Sequence, residues 1–233
     1  VRDIEKRFPG VHALKGVRFD IFPGEVHALM GENGAGKSTL MKVLSGIYQP
    51  DGGTVEVEGQ QVTISGPRAA QALGISIIHQ ELFLMNHLTV AQNIFIGREP
   101  RYGFGMFVDE GQMTLDAAEL FKRMKVKIDP KTEVGEMTVA RQQLVEIAKA
   151  LSFNSKVLIM DEPTAVLAPT EIDGLFETLR AMIAQGKSVI FISHKLQEVT
   201  AIADHVTVLR RGIATASNVP SKGVSRQELA KLM

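Results

Sequence analysis

The sequence predicts an α/β fold: a mainly parallel sheet flanked by helices, with a helical insertion between its early and late strands. Three observations carry this. Residues 26–30, 75–78, 157–160 and 188–192 are short apolar runs without polar alternation, the pattern of strands buried on both faces. Helical patterns separate several of these runs, as crossover-linked parallel strands require. From about Leu84 to Leu151 the pattern is helical throughout.

Taken in order, residues 11–22 read as a hairpin-like segment ahead of the turn Pro23-Gly24. After the first buried strand, Leu40, Val43, Leu44 and Ile47 fall at i, i+3, i+4 and i+7 and define one helix face. Gly52-Gly53 then leads into the alternation Thr54-Val55-Glu56-Val57-Glu58, a half-exposed strand. The strand at 75–78 ends at His79-Gln80. In the insertion, Thr89 followed by Gln92 is a capping-box pattern ahead of a short helix, and residues 97–105 form a Gly/Pro/Arg-rich loop. Leu115, Ala118, Leu120, Phe121 and Met124 populate the next helix. Thr138 caps another, whose face is Ala140, Leu144, Ile147, Ala148 and Leu151. Between the last two buried strands runs a helix with Ile172, Leu175, Phe176, Leu179, Met182 and Ile183 on one side. Residues 206–209 and 213–216, joined at Arg211-Gly212, read as a closing hairpin, and Ser225 is placed to cap a final helix. The chain opens without methionine and ends abruptly, so a fragment of a longer protein is expected.

Composition narrows the class. Hydrophobic content of 45% and charged content of 22% are ordinary for a globular protein. Lys+Arg and Asp+Glu balance at 26 each, so no basic field argues for nucleic acid. No apolar run approaches the roughly 20 residues that span a membrane. The charged opening Val1-Arg2-Asp3-Ile4-Glu5-Lys6 is unlike a signal peptide, and the absence of cysteine excludes disulfides and thiol-ligated metals. A soluble, compact, intracellular domain is expected.

Gly31-Glu32-Asn33-Gly34-Ala35-Gly36-Lys37-Ser38-Thr39 matches the phosphate-binding pattern G-x-x-x-x-G-K-S/T at every fixed position, between a buried strand and a helix. Its glycines let successive N–H groups turn toward phosphate oxygens, and the helix start adds its positive dipole end. Lys37 would reach the β- and γ-phosphates and Ser38 would sit on Mg²⁺. A chance match in a glycine-rich turn would not explain the flanking strand and helix. About 125 residues further on, the run Val157-Leu158-Ile159-Met160-Asp161-Glu162 places Asp161 at a strand end, to help hold Mg²⁺. Glu162 beside it is suited to orient or deprotonate a water. Gln80 and His194 also end strands of the proposed sheet, where α/β proteins place ligand groups. For each of these two the alternative is a satisfied structural residue. His12, His27, His79, His87 and His205 lack metal-ligand spacing. The basic run 122–127 reads as a solvated helix end or a face toward lipid headgroups or a partner, and Asp109, Glu110, Asp116 and Glu119 as the exposed side of the insertion.

The order of phosphate loop, Gln80, the helix-capping stretch 137–142, the run ending in Asp161-Glu162, and His194 resembles the ATP-binding-cassette (ABC) ATPases over essentially the whole chain. The resemblance implies a P-loop NTPase core with an antiparallel β subdomain and an inserted helical subdomain that docks on a membrane partner. Residues 1–84 and 152–233 would form the core, and 85–151 the insertion. By that likeness Phe8 stacks on adenine, though a core phenylalanine is the alternative. Gln80 is the Q-loop residue that senses Mg²⁺ or the water, Glu162 the catalytic glutamate, and His194 the switch histidine. The family signature L-S-G-G-Q stands here as Met137-Thr138-Val139-Ala140-Arg141, which keeps a hydroxyl at Thr138 for γ-phosphate contact in trans but loses both glycines. The usual S-A-L-D stretch reads Ala165-Val166-Leu167-Ala168, without its aspartate. The domain's own site is therefore complete, while what it offers a partner's nucleotide is weakened.

Wording outside these motifs, such as Lys6-Arg7-Phe8-Pro9-Gly10-Val11 and Asn93-Ile94-Phe95-Ile96-Gly97-Arg98-Glu99-Pro100, resembles the N-terminal cassette of the fused two-cassette ATPases of bacterial simple-sugar importers. The resemblance implies ATP and Mg²⁺ as cofactors and a second cassette fused C-terminally. It also implies transmembrane permease subunits, indirect coupling to a periplasmic sugar-binding protein, no nucleic acid, and a place on the cytoplasmic face of the inner membrane. The rival readings are a soluble cassette ATPase of translation or DNA repair, and a regulatory nucleotide-binding half.

Overall fold

The computed structural model describes residues 1–79, 82–222 and 228–229. In chain order the elements begin with β1 (Arg2–Phe8), β2 (Val11–Val17), β3 (Val26–Met30), α1 (Lys37–Leu44), β4 (Gly52–Val57), β5 (Gln60–Val62), α2 (Pro67–Ala72) and β6 (Ile75–Ile78). Then come α3 (Val90–Phe95), β7 (Arg101–Tyr102), β8 (Phe107–Val108), α4 (Glu110–Arg123) and, after a 3₁₀ turn at Val134–Glu136, α5 (Val139–Leu151). The chain continues through β9 (Val157–Asp161), α6 (Pro169–Ile183), β10 (Ser188–Ile192), α7 (Leu196–Ile202), β11 (His205–Arg210) and β12 (Ile213–Pro220).

The central sheet runs β12-β11-β3-β10-β9-β6, parallel throughout except for the β11–β12 hairpin. A second, antiparallel sheet has the order β2-β1-β4-β5. The central strands separate two cores by simple alternation. Val26, Ala28, Met30, Leu158, Met160, Val189 and Phe191 pack on one face with the helices of the insertion, α6 and α7. Leu29, Ile159, Ile190 and Ile192 pack on the other with α1 and the antiparallel sheet. Because both faces are covered, these strands read as unbroken apolar runs. The sheet's amino end carries a buried polar set: Glu25 accepts from His205 Nδ1 at 2.7 Å, and His27 Nε2 meets Thr207 Oγ1 at 2.9 Å.

Several local expectations are corrected. Residues 11–22 do not form a hairpin by themselves, because β2 is the second arm of a hairpin whose first arm is β1, with Phe8 opposite Val11. Charged residues in β1 leave only Ile4 fully buried and hide its strand character. Ile47 lies outside α1, which ends at Leu44 ahead of Gly46 at φ +74°, and it is exposed. The buried face of α4 is Met113, Ala117, Leu120 and Phe121, so Leu115 and Ala118 point to solvent. The loop at 97–105 contains the first strand of a small hairpin, β7–β8. Helices α2 and α7 had no expectation attached. The capping box at Thr89 is formed: its side chain accepts from Gln92 N, and Thr89 N donates to Gln92 Oε1. Asp109 is the N-cap of α4, accepting from Gln112 N, rather than a purely solvated charge. The cap expected at Ser225 lies outside the described residues.

Phe191 tests the core. It is fully buried in β10 and meets Phe176 edge-on, with ring centroids 5.9 Å apart. Phe191→Ala should cost about 3–5 kcal/mol in a denaturant titration, the range for emptying a packed aromatic site.

Candidate functional site

The loop between β3 and α1 is held from two sides. Gly31 has φ +148°, and a Cβ there would lie 2.2 Å from Leu209 O in β11. Gly36 has φ +108°, and a Cβ there would lie 2.8 Å from Ala13 O in β2. Only glycine permits such an approach at these angles. Gly212 N donates to Ala35 O at 2.9 Å and Lys15 N donates to Gly212 O at 2.8 Å, fastening the loop to the β11–β12 turn and to β2. Lys37 is 7% exposed, and its ammonium turns back to donate to Gly31 O at 2.8 Å and Glu32 O at 3.1 Å. The first turn of α1 has no side-chain cap, so its leading N–H groups are available to an anion.

The acidic half of the site comes from β9 and β10. Their parallel register sets Asp161 opposite Ile192, and Glu162 N donates to Ile192 O at 3.0 Å. Glu162 adopts φ +46°, a left-handed conformation that a non-glycine residue holds only when its surroundings enforce it. Its Oε1 lies 2.8 Å from His194 Nδ1. Burial pushes the Asp161 carboxyl above its usual range, with Glu162 adding repulsion, while Lys37, His79 and a hydrogen bond with Ser38 act in the opposite direction. Burial likewise pushes the Lys37 ammonium down, against the pull of Glu162 and Asp161.

These groups line one cleft of about 910 Å³, at the carboxyl ends of β3 and β9. Phe8, Asn33, Gly34, Gly36, Lys37, Ser38, Thr39, Asp161 and Glu162 line it, and His194 joins through Glu162. Phe8 stands at the rim with its ring edge-on to Tyr48 at 5.2 Å, and Lys6 Nζ lies 5.6 Å from its centroid. Ala35 is buried against protein, and Gly31 serves the packing against Leu209. Thr138 is elsewhere: it caps α5 and borders a separate depression of about 400 Å³ with Arg141, Leu167 and Glu171. Its Oγ1 is 3.4 Å from Arg141 N. Gln80 lies outside the described residues. The cleft also includes Val11, His12, Lys15 and Arg211, which no motif had flagged. Only the course of β2 and of the β11–β12 turn brings them there.

A family model described as ABC transporter matches residues 14–165. The chain belongs to the ABC transporter family. It is 60% identical over 230 residues to a "Putative ribose/galactose/methyl galactoside import ATP-binding protein 3" of Burkholderia ambifaria, covering 99% of this chain and 45% of that protein. It is 52% identical to the "Ribose import ATP-binding protein RbsA 1" of Streptomyces avermitilis, covering 100% of this chain and 44% of the relative. The chain thus spans about half the length of the curated relatives it matches. Among solved structures, it superposes on an ATP-binding cassette of an ABC transporter in its ADP conformation with TM-score 0.81 at 29% identity, covering 91% of this chain and 87% of the other. A nucleotide-free cassette gives TM-score 0.82 at 27% identity, covering 99% and 92%. The P-loop core, antiparallel sheet and helical insertion accord with this family.

Asp161 gives a pH test. Its folded-state pKa is raised, so between the unfolded and folded values the native state binds more protons, and stability falls as pH rises through that window. Asp161→Asn removes this cost. The variant should melt at a higher temperature than the parent at pH 7, and the gap should close below about pH 4, where the unfolded carboxyl is also protonated.

Proposed function

We propose that this chain is the ATP-hydrolysing cassette of a bacterial importer of a simple sugar, peripheral to the cytoplasmic face of the inner membrane. One observation carries the reading: the phosphate loop, Asp161, and the hydrogen-bonded pair Glu162–His194 converge on a single cleft with an aromatic ring, Phe8, at its rim. The import role rests on the names of relatives at 60% and 52% identity. The balanced charge gives no support to a nucleic-acid partner.

In this reading the loop's N–H groups and Lys37 bind the phosphates of ATP, and Phe8 offers a ring to adenine. Ser38 and Asp161 would supply a hydroxyl and a carboxylate, oxygen donors that suit Mg²⁺. When bound, it would offset phosphate charge. Glu162 orients the attacking water and accepts its proton. His194 engages Glu162 through Nδ1, so its phosphate contact would fall to Nε2.

A second cassette, fused C-terminally, would close over this cleft. The start of α5 with Thr138 would face the partner's nucleotide, where the lost glycines weaken the contact and leave the site on this loop the faster of the two. Residues 85–151 would meet the permease, which a periplasmic sugar-binding protein loads from the other side.

In the assembled transporter, Glu162→Gln should keep ATP binding and lower turnover by at least about 100-fold, the scale of one general base. Retained hydrolysis would remove that role from Glu162. Lys37→Ala should also abolish most turnover of the full-length protein. Unchanged turnover would instead make this half regulatory.

A further inference from the structure

A buried carboxylate joins the two loops that carry Glu162 and His194, and the chemistry above gives it no task. Glu198 lies in the first turn of α7 and is 7% exposed. Its Oε2 accepts from Thr164 Oγ1 at 2.6 Å and from Ser193 Oγ at 2.9 Å. Its Oε1 pairs with Lys195 Nζ at 3.0 Å, and the same ammonium donates to Thr164 O at 3.2 Å. Thr164 and Ser193 are both buried. Thr164 stands two residues after Glu162, and Ser193 directly precedes His194.

A carboxylate withdrawn from water is costly unless donors and a cation compensate it, and an apolar residue would fill space with less penalty. Here the hydroxyl donors come one from each loop, and Lys195 follows His194 directly. The loops have reason to need such a tie. Glu162 holds a left-handed backbone conformation, and on the strand side its backbone N–H is held by Ile192 O. In front, Glu162 Oε1 and His194 Nδ1 link the loops. Glu198 closes the connection from behind.

We propose that Glu198 is a positioning residue for hydrolysis: by bridging Thr164 and Ser193 it fixes the separation of the two loops, and with it the seating of the Glu162 carboxylate against the His194 imidazole. The proposal rests on the hydrolytic reading above. Glu198 touches no phosphate-binding group. The cradle built by β3, α1 and Lys37 is assembled from other contacts. Loss of the bridge therefore acts on kcat rather than on ATP affinity.

The test uses the full-length protein assembled with its membrane partner. Thr164→Val keeps the side-chain shape and removes the hydroxyl, whereas Thr164→Ser keeps the hydroxyl. kcat, KM for ATP, the Kd of ATP without Mg²⁺ and the melting temperature are measured for both, with Glu162→Gln in parallel. Thr164→Val should lower kcat by about 10-fold to 100-fold, the scale of a displaced catalytic group, with KM and Kd within about twofold of the parent. Thr164→Ser should restore kcat. If Thr164→Val misfolds, Glu198→Gln, which keeps shape and one acceptor, is read the same way. Equal kcat for the Val and Ser variants, or a loss that follows the melting temperature or Kd, overturns the proposal. If Glu162→Gln stops turnover while Thr164→Val does not slow it, the positioning role fails and the hydrolytic reading stands. If Glu162→Gln still turns over, that reading fails and the positioning role falls with it.

Discussion

Lys37 is a cation almost sealed from water, and much of the site is arranged around that fact. Withdrawing an ammonium from solvent costs several kcal/mol unless other groups compensate. The compensation comes from the carbonyls of Gly31 and Glu32, so the loop must fold back over its own lysine. That bend presses Gly31 against Leu209 and Gly36 against Ala13, which is why the β11–β12 hairpin and β2 must run where they do. The antiparallel sheet is thus more than a platform for an aromatic ring. It forms one wall of the mould that shapes the phosphate loop.

The same cleft gathers groups that oppose folding. Asp161 is held above its usual carboxyl range, Lys37 below its usual ammonium range, and Glu162 in an unfavourable backbone conformation. Displaced proton affinities and local strain of this kind tend to cluster where proteins do chemistry. The two cores on either face of the central sheet supply the stability that tolerates them.

The loop 31–39 and the run ending in Asp161-Glu162 were legible because each pairs a local pattern with a buried strand. The central strands were legible because burial on both faces leaves them mostly apolar, without a polar alternation. β1 was not, since its pairing with β2 and β4 comes with charged side chains that carry no period. Ile47 keeps the helical spacing of α1 although the helix has ended at Leu44, ahead of the left-handed Gly46. On α4 the apolar residues 115, 118, 120 and 121 mark the helix but not its buried side, which Met113 and Ala117 share with Leu120 and Phe121. Arg211 and Lys15 at the cleft, and the bridge from Glu198 to Thr164 and Ser193, join residues by tertiary approach or by side chains with no distinctive spacing.

The apolar layer on one face of the central sheet is shared with the helical insertion. Ile94 of α3, Phe121 of α4 and Ile147 of α5 belong to the same cluster as Met160 of β9 and Phe191 of β10. Strand β9 ends at Asp161, directly before Glu162, and β10 ends at Ile192, two residues before His194. Close-packed side chains therefore run unbroken from the outer helices to these two strands, without crossing water. Helices α3, α4 and α5 are thus seated in the body of the domain, and the stiffness of their join is set by ordinary core packing.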